Sequence, residues 1–141
     1  MAIFTLTNAF VSVNGVDLSD HVESVTVKDD RDKVDITAMG ASAKAYQKGL
    51  GDASIEIGFF QDFAANKVHA TLQPLISSTS PIAVEVRATN AIRSATNPAF
   101  LLAQALLFSY GGLEGSVGDA SKMKAEFQNA NSAGGMTYPT S

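Results

Sequence analysis

The chain of 141 residues contains no cysteine, no tryptophan and no long apolar run. Without cysteine it can form neither disulfides nor cysteine-ligated metal sites. The longest apolar stretch, AFLLAQALLF at 99–108, is interrupted by Gln104 and is too short to span a bilayer. The first ten residues, MAIFTLTNAF, lack the basic start of a signal peptide. We therefore expect a soluble protein, made in the cytoplasm, that does not enter a membrane.

The chain also lacks an excess of basic residues. It has 10 Lys and Arg and 14 Asp and Glu, which gives a net charge of −4. A protein dedicated to binding the phosphate backbone would need a basic face. The length fits one domain, 1–141, and a hydrophobic content of 45% is ordinary for a globular protein.

No set of residues forms a recognisable catalytic site. His21 and His69 are the two histidines, and a structural or surface role is the commoner one for isolated histidines. The segment GGLEGSVG at 111–118 lacks the Lys-Ser/Thr of a phosphate-binding loop and the spacing of a nucleophile elbow. We predict no catalytic, cofactor-binding or metal-binding residue, and we expect a protein that is not an enzyme.

Alternating apolar residues predict a mainly β protein. Asn14-Gly15 in AFVSVNGVDLS fits a type I′ hairpin turn. Further strands are predicted in ESVTVK, ASIEIGFF, PIAVEVRAT and ASKMKAEFQ. The charged DDRD and the small, polar MGASAKAYQKGLG interrupt this pattern, so 29–51 is predicted to be a long excursion with at most one short strand, poorly ordered in the free subunit.

A single helix is predicted after Gln61-Asp62, with Asp62 as its N-cap. Four residues at helical spacing form its inward face: Ala64, Val68, Leu72 and Leu75. The segment NPAFLLAQALLFSYGG, 97–112, is ambiguous. Its local signals, Asn97 as N-cap and Pro98 in the first turn, favour a helix, but a strand that is apolar on both faces fits as well.

Seven segments, taken in order, resemble the tail tube protein (major tail protein) of long non-contractile-tailed bacteriophages. They are VNGVDLSDHVESVTV, DITAMGA, SIEIGFFQDF, VHATLQPLI, VEVRATNA, SATNPAF and GSVGD. The resemblance covers nearly the whole chain. It implies a mainly β fold: a β-sandwich with one flanking α-helix and a long polar stacking loop. It also makes 99–110 a strand, against the local helix signals.

The same resemblance implies a structural virion protein that forms hexameric rings, which stack into the hollow tail tube through which DNA is ejected. The implied partners are further copies of the chain, the tape measure protein, and the tail terminator and tail tip proteins. DNA would pass without specific binding, and no cofactor is implied. The alternatives are a related ring protein (tail terminator, baseplate ring or contractile or secretion tube) and, less well supported, a capsid decoration β-domain.

Two sets of residues follow as candidates for assembly. In the family, the long excursion between the early strands reaches the adjacent ring. Residues 29–51 match this excursion by position. The candidates for inter-ring stacking are therefore Asp29, Asp30, Arg31, Asp32, Met39, Lys44, Tyr46 and Lys48. The polar faces of three strands are candidates for the lumen wall: Ser24, Thr26, Glu56, Glu85 and Arg87. The mixed face with Glu126, between Lys122 and Lys124, is less favoured. We expect a neutral or negative lumen, which would not hold phosphates.

Overall fold

The computed structural model describes residues 3–141 and contains seven strands and one α-helix. The strands are β1 (Phe10–Val13), β2 (Val16–Asp17), β3 (Val22–Asp35), β4 (Tyr46–Phe60), β5 (Ile82–Arg87), β6 (Ala99–Tyr110) and β7 (Lys122–Asn129). The helix α1 spans Val68–Ile76, and a 3₁₀ turn spans Ser19–His21. This confirms the prediction of a mainly β fold with one helix.

All seven strands belong to one antiparallel sheet in the order β2-β1-β5-β6-β7-β4-β3. The short β2 and the long β3 are therefore the two edge strands. Residues of β1 and of β4 belong to the same buried cluster although three strands lie between them, so the sheet curves around a single core. The helix α1 packs against β6 and adds Val68 and Leu72 to that core.

The turn between β1 and β2 is the one that the sequence predicts. Asn14 and Gly15 have φ values of 51° and 81°, and Val13 pairs with Val16 across the turn. Two successive positive φ values are what a type I′ turn requires.

The core is built from alternate residues of the central strands. In β4 the side chains of Ile55, Ile57 and Phe59 are fully buried, and in β7 Ala125 and Phe127 are as well. The residues between them point to the other face, as the period-2 pattern predicts. Burying such large apolar side chains stabilises the fold by about 1.5–3 kcal/mol each.

The prediction of a loop at 29–51 is wrong. β3 and β4 remain paired from Val22↔Phe59 to Asp35↔Tyr46, and only 36–45 connects them. We call residues 29–51 the arm. Most of its side chains are exposed on both faces, so charged residues carry no burial penalty there while the ladder hydrogen bonds still form. The break in alternation at Asp29–Asp32 therefore does not break the strand.

β6 is a strand over Ala99–Tyr110, which confirms the interpretation taken from the resemblance and corrects the local helix signals. Ala99, Leu102, Ala105 and Leu107 of this strand are buried. Tertiary packing thus outweighs the helix propensity of Ala, Leu and Gln. Asn97 is not an N-cap, because its side chain is engaged with the preceding loop.

The helix begins six residues later than Asp62, and its N-cap position is Lys67. Asn66 has a φ of 62°, which a helix cannot continue through, so Asp62 instead accepts a hydrogen bond from the Ala64 N–H in the turn before it. Val68 and Leu72 are buried as predicted, whereas Ala64 is exposed.

The C-terminal residues follow β6 beyond the end of β7. Leu101 and Thr137 exchange two backbone hydrogen bonds of 3.0 and 2.9 Å, and the Ala99 N–H donates to the Pro139 carbonyl at 2.9 Å. Met136 is buried in the core cluster. Within residues 3–141 no helix has the length and apolar character needed to cross a membrane.

Candidate assembly surfaces

The face of the sheet away from the core brings three of the five predicted lumen residues together. Thr26 of β3 pairs with Glu56 of β4, which pairs in turn with Glu126 of β7. Ser24 lies two residues along, opposite Gly58. We call this surface the outer face; it consists of Ser24, Thr26, Lys28, Ser54, Glu56, Gly58, Lys122, Lys124, Glu126 and Gln128.

The outer face carries charges of both signs at short range. The Lys124 ammonium lies 3.5 Å from the Glu56 carboxylate, and the Gln128 amide donates to the Glu126 carboxylate at 2.8 Å. At its edge Lys122 lies 3.0 Å from Glu23. The sequence predicts a lumen position for the face of Glu56 and makes the face of Glu126 the less favoured one. That separation is wrong, because the two glutamates are direct cross-strand neighbours.

Glu85 and Arg87 lie elsewhere, on β5. The Arg87 guanidinium lies 2.9 Å from the Glu85 carboxylate, which also accepts hydrogen bonds of 2.9 and 3.1 Å from Arg93. The hydrogen bond from Arg93 lowers the pKa of Glu85 against the effect of its burial. The side chains of Glu85 and Arg87 are only 14% and 15% exposed, which argues against the predicted role as wall charges.

The eight residues predicted for stacking all lie on the arm. Asp29, Asp30, Arg31 and Asp32 belong to β3, Tyr46 and Lys48 to β4, and Met39 and Lys44 to the connecting loop. The arm also exposes apolar side chains that the sequence argument did not emphasise: Val34, Ile36 and Leu50, together with Met39 and Tyr46. Exposed apolar residues gathered on one projecting element are typical of a surface that contacts protein.

The base of the arm is held by the C-terminal residues. The Tyr138 hydroxyl and the Arg31 guanidinium both donate to Asp29, and the Tyr138 ring packs edge-on against Phe100 with centroids 5.6 Å apart. The bonds from Tyr138 and Arg31 lower the pKa of Asp29, and the bond to this carboxylate raises the pKa of Tyr138. No local pattern in the sequence could reveal a contact between residues 29 and 138.

The Gln61-Asp62 junction, which shows no motif in the sequence, is the centre of two polar contacts. The imidazole of His21 lies 2.7 Å from Asp20 and 2.8 Å from Asp62, joining the start of β3 to the end of β4. Burial would lower the pKa of His21, but the two carboxylates outweigh it and raise the pKa.

The second contact involves the other histidine. His69 Nδ1 lies 2.6 Å from the Tyr110 hydroxyl, which also accepts a hydrogen bond of 2.9 Å from the Gln61 amide. This ties α1 to the end of β6. Among residues 3–141 no group of three or more His, Cys, Asp or Glu side chains is placed to hold a metal ion.

No family model and no curated protein sequence matches the chain. Solved structures do match it. A chain of the virion of the native gene transfer agent particle aligns with a TM-score of 0.70 at 10% identity, over 94% of this chain and 95% of that one. The chain has a tail-tube fold. This conclusion concerns architecture, since identities near 10% show the fold alone.

Two chains of contractile injection systems share the tail-tube fold. One, from a sheath-tube complex in the extended state, has a TM-score of 0.70 at 11% identity over 99% of this chain and 93% of that one. The other, from a sheath/tube terminator, has a TM-score of 0.73 at 10% identity over 99% and 98%. The chain thus shares its fold with chains of a gene transfer agent particle and of contractile injection systems.

Proposed function

We propose that the protein is the tail tube subunit of a long non-contractile phage or phage-like tail. The observation that carries this proposal is the likeness over at least 94% of this chain to chains of tail and tube assemblies. In the proposed assembly the subunits form rings, six to a ring, and the rings stack into a hollow tube through which DNA leaves the particle.

In the proposed tube the outer face, the free edge of β3 and the arm each make a different contact. The outer face lines the lumen. Its three lysines, Lys28, Lys122 and Lys124, are balanced by Glu56, Glu126 and, at the edge, Glu23, so it presents little net charge to passing phosphates. β3 is an edge strand, and its free edge joins the sheet of the neighbouring subunit in the ring. The arm, with its exposed apolar residues, reaches the adjacent ring.

Partners follow from this arrangement. A tape measure protein occupies the lumen during assembly, and terminator and tail tip proteins contact the two ends of the tube. The protein is then a component of the virion tail, made in the host cytoplasm, and it works as a scaffold without cofactor or catalysis.

A tube terminator is the second candidate, favoured by the TM-score of 0.73 with the sheath/tube terminator chain. A terminator has the same fold but closes a tube instead of extending it. Polymer length separates the two functions, because only a tube subunit adds ring upon ring.

The test is negative-stain microscopy and sedimentation of the purified chain at about micromolar concentration, over a range of ionic strengths. We expect hollow tubes of variable length. As a matched control, a variant with residues 37–44 replaced by Asn-Gly keeps the core and shortens only the tip of the arm, so it should fold and yet fail to form long tubes. Single rings from the unaltered chain would favour the terminator, and a compact monomer under every condition would refute both.

A further inference from the structure

Two cross-strand pairs in the arm place like charges directly opposite each other. Asp30 of β3 pairs with Asp52 of β4, and Lys33 pairs with Lys48. Like charges in directly opposed positions destabilise an antiparallel ladder. We call these pairs the acidic rung and the basic rung.

The two rungs point to opposite faces of the arm. Asp30 and Lys33 are three residues apart on β3, and successive side chains of a strand alternate between faces. On β4 a register shift lies between the two pairs. Because of this shift Asp52 and Lys48, four residues apart, also lie on opposite faces, each beside its partner. The acidic rung lies on the side of the outer face, and the basic rung lies on the opposite side.

Neither rung is neutralised within residues 3–141. None of the four side chains of the two rungs takes part in an ion pair, whereas the neighbouring Asp29 is paired with Arg31. The charged residues two positions along β3 are Lys28 and Asp32 next to Asp30, and Arg31 and Asp35 next to Lys33. Of these only Arg31 forms an ion pair, with Asp29. Lys33 instead lies over the Tyr46 ring, 4.5 Å from its centroid. All four rung residues are exposed.

We propose that the acidic rung of one subunit binds the basic rung of a second copy of the chain, so that the two rungs set the direction and register in which arms join. The inference rests on the proposed assembly and specifies its contact. The acidic rung presents two carboxylates and the basic rung presents two ammonium groups. The acidic face of one copy is therefore complementary to the basic face of the next. A contact between different faces of identical subunits propagates head to tail, as a stacked polymer requires. Charge pairing of this kind fixes register and accelerates association.

Charge reversal tests the pairing. The variant D30K/D52K has two basic rungs and K33D/K48D has two acidic rungs, so neither should elongate alone. An equimolar mixture should co-assemble, and the quadruple variant D30K/K33D/K48D/D52K, with both rungs exchanged, should polymerise by itself. We expect the critical concentration of each double variant to rise by at least about tenfold at low salt and to recover in the mixture.

The control is Asp119→Lys, a charge reversal on the exposed 111–121 loop, which should polymerise like the unaltered chain. Circular dichroism establishes that each variant is folded. If both double variants elongate normally at low salt, the rung contact is refuted while the tube function stands. Folded double variants that fail to co-assemble would also refute it, and an unaltered chain that never polymerises would refute the proposed function as well.

Discussion

Three side chains hold the chain in place, two by joining parts that are distant in sequence and one by binding the loop next to it. His21 joins the start of β3 to Asp62, and Tyr138 joins the C-terminal residues to Asp29. Asn97 is buried and binds four backbone groups of the loop before it: its amide donates to the carbonyls of Thr89, Ala91 and Ile92, and its oxygen accepts from the Thr89 N–H at 3.2 Å. The contacts of His21 and Tyr138 need proximity between distant segments, so sequence patterns could not predict them.

The contact of His21 makes stability depend on pH. The pKa of His21 is raised, so its contribution is complete below the unfolded value of about 6.5 and is lost as pH rises through the folded value. The pKa values of Asp20 and Asp62 are lowered, by the His21 hydrogen bond at Asp20 and by the Ala64 N–H and His21 at Asp62. Their contributions are lost only as pH falls through those folded values, below about 3.9.

His21→Gln should therefore destabilise the subunit more at about pH 5.5 than at about pH 8.5. Urea unfolding at the two pH values measures the difference. In the control D20N/D62N the histidine remains but its carboxylates are gone, so stability should change less between these two pH values than it does in the unaltered chain. An equal loss of stability for His21→Gln at both pH values would contradict the prediction.

Asn97→Ala should lower the free energy of unfolding by about 1–2 kcal/mol, because the loop loses four part-buried hydrogen bonds to its backbone groups. The matched control is Asn90→Ala, on an exposed position of the same loop, where a change within about 0.5 kcal/mol is expected. Denaturant titration of the two variants compares them directly, and equal effects would show that the loop does not depend on Asn97.

At the scale of elements, sequence patterns succeeded where one face of a strand is buried and the other is not. β7 and the second half of β4 alternate for this reason, and both were predicted as strands. The arm has no buried face, so nothing in its sequence needed to alternate. β6 was ambiguous because its apolar residues occupy both faces, and only the resemblance resolved it.

Hydrogen exchange of the free subunit tests the corrected description of the arm. Ladder amides in 29–35 and 46–51 should exchange more slowly than those of the 37–44 loop, because they are paired across β3 and β4. They should exchange faster than those of 53–59, where the strand is covered by the core. Exchange throughout the arm at the rate of an unstructured peptide would restore the original interpretation of a disordered excursion.

At the scale of the whole molecule, the sheet separates a buried core from a polar outer face, and ring symmetry would repeat every charge of that face. Glu56→Lys would then add a girdle of cations to each ring. We expect tubes of this variant to retain double-stranded DNA at about 50 mM salt and to release it at about 0.5 M, because high salt weakens binding that is driven by counterion release. Tubes of the unaltered chain should not retain DNA.

Co-sedimentation of tubes with short DNA measures this retention. Glu56→Gln removes the same carboxylate without adding a cation, and Asp119→Lys adds a cation on a loop outside the outer face. Retention by Glu56→Lys alone would support a lumen position for the outer face. If Asp119→Lys retains as much DNA, the effect reports net charge and the assignment of the lumen wall fails.

The free edge of β3 also bears on the fate of subunits that have not yet been incorporated. Over Val22–Asp35 one side of this strand has no neighbour within residues 3–141, and an open edge accepts any strand that approaches it. The charges of Lys28, Asp30 and Asp32 along it oppose such misplaced pairing. The free subunit at high concentration is therefore the form in which this edge is most open to misplaced pairing. In the proposed tube, incorporation into a ring would cover this edge, so assembly would also remove the site at which free subunits could aggregate.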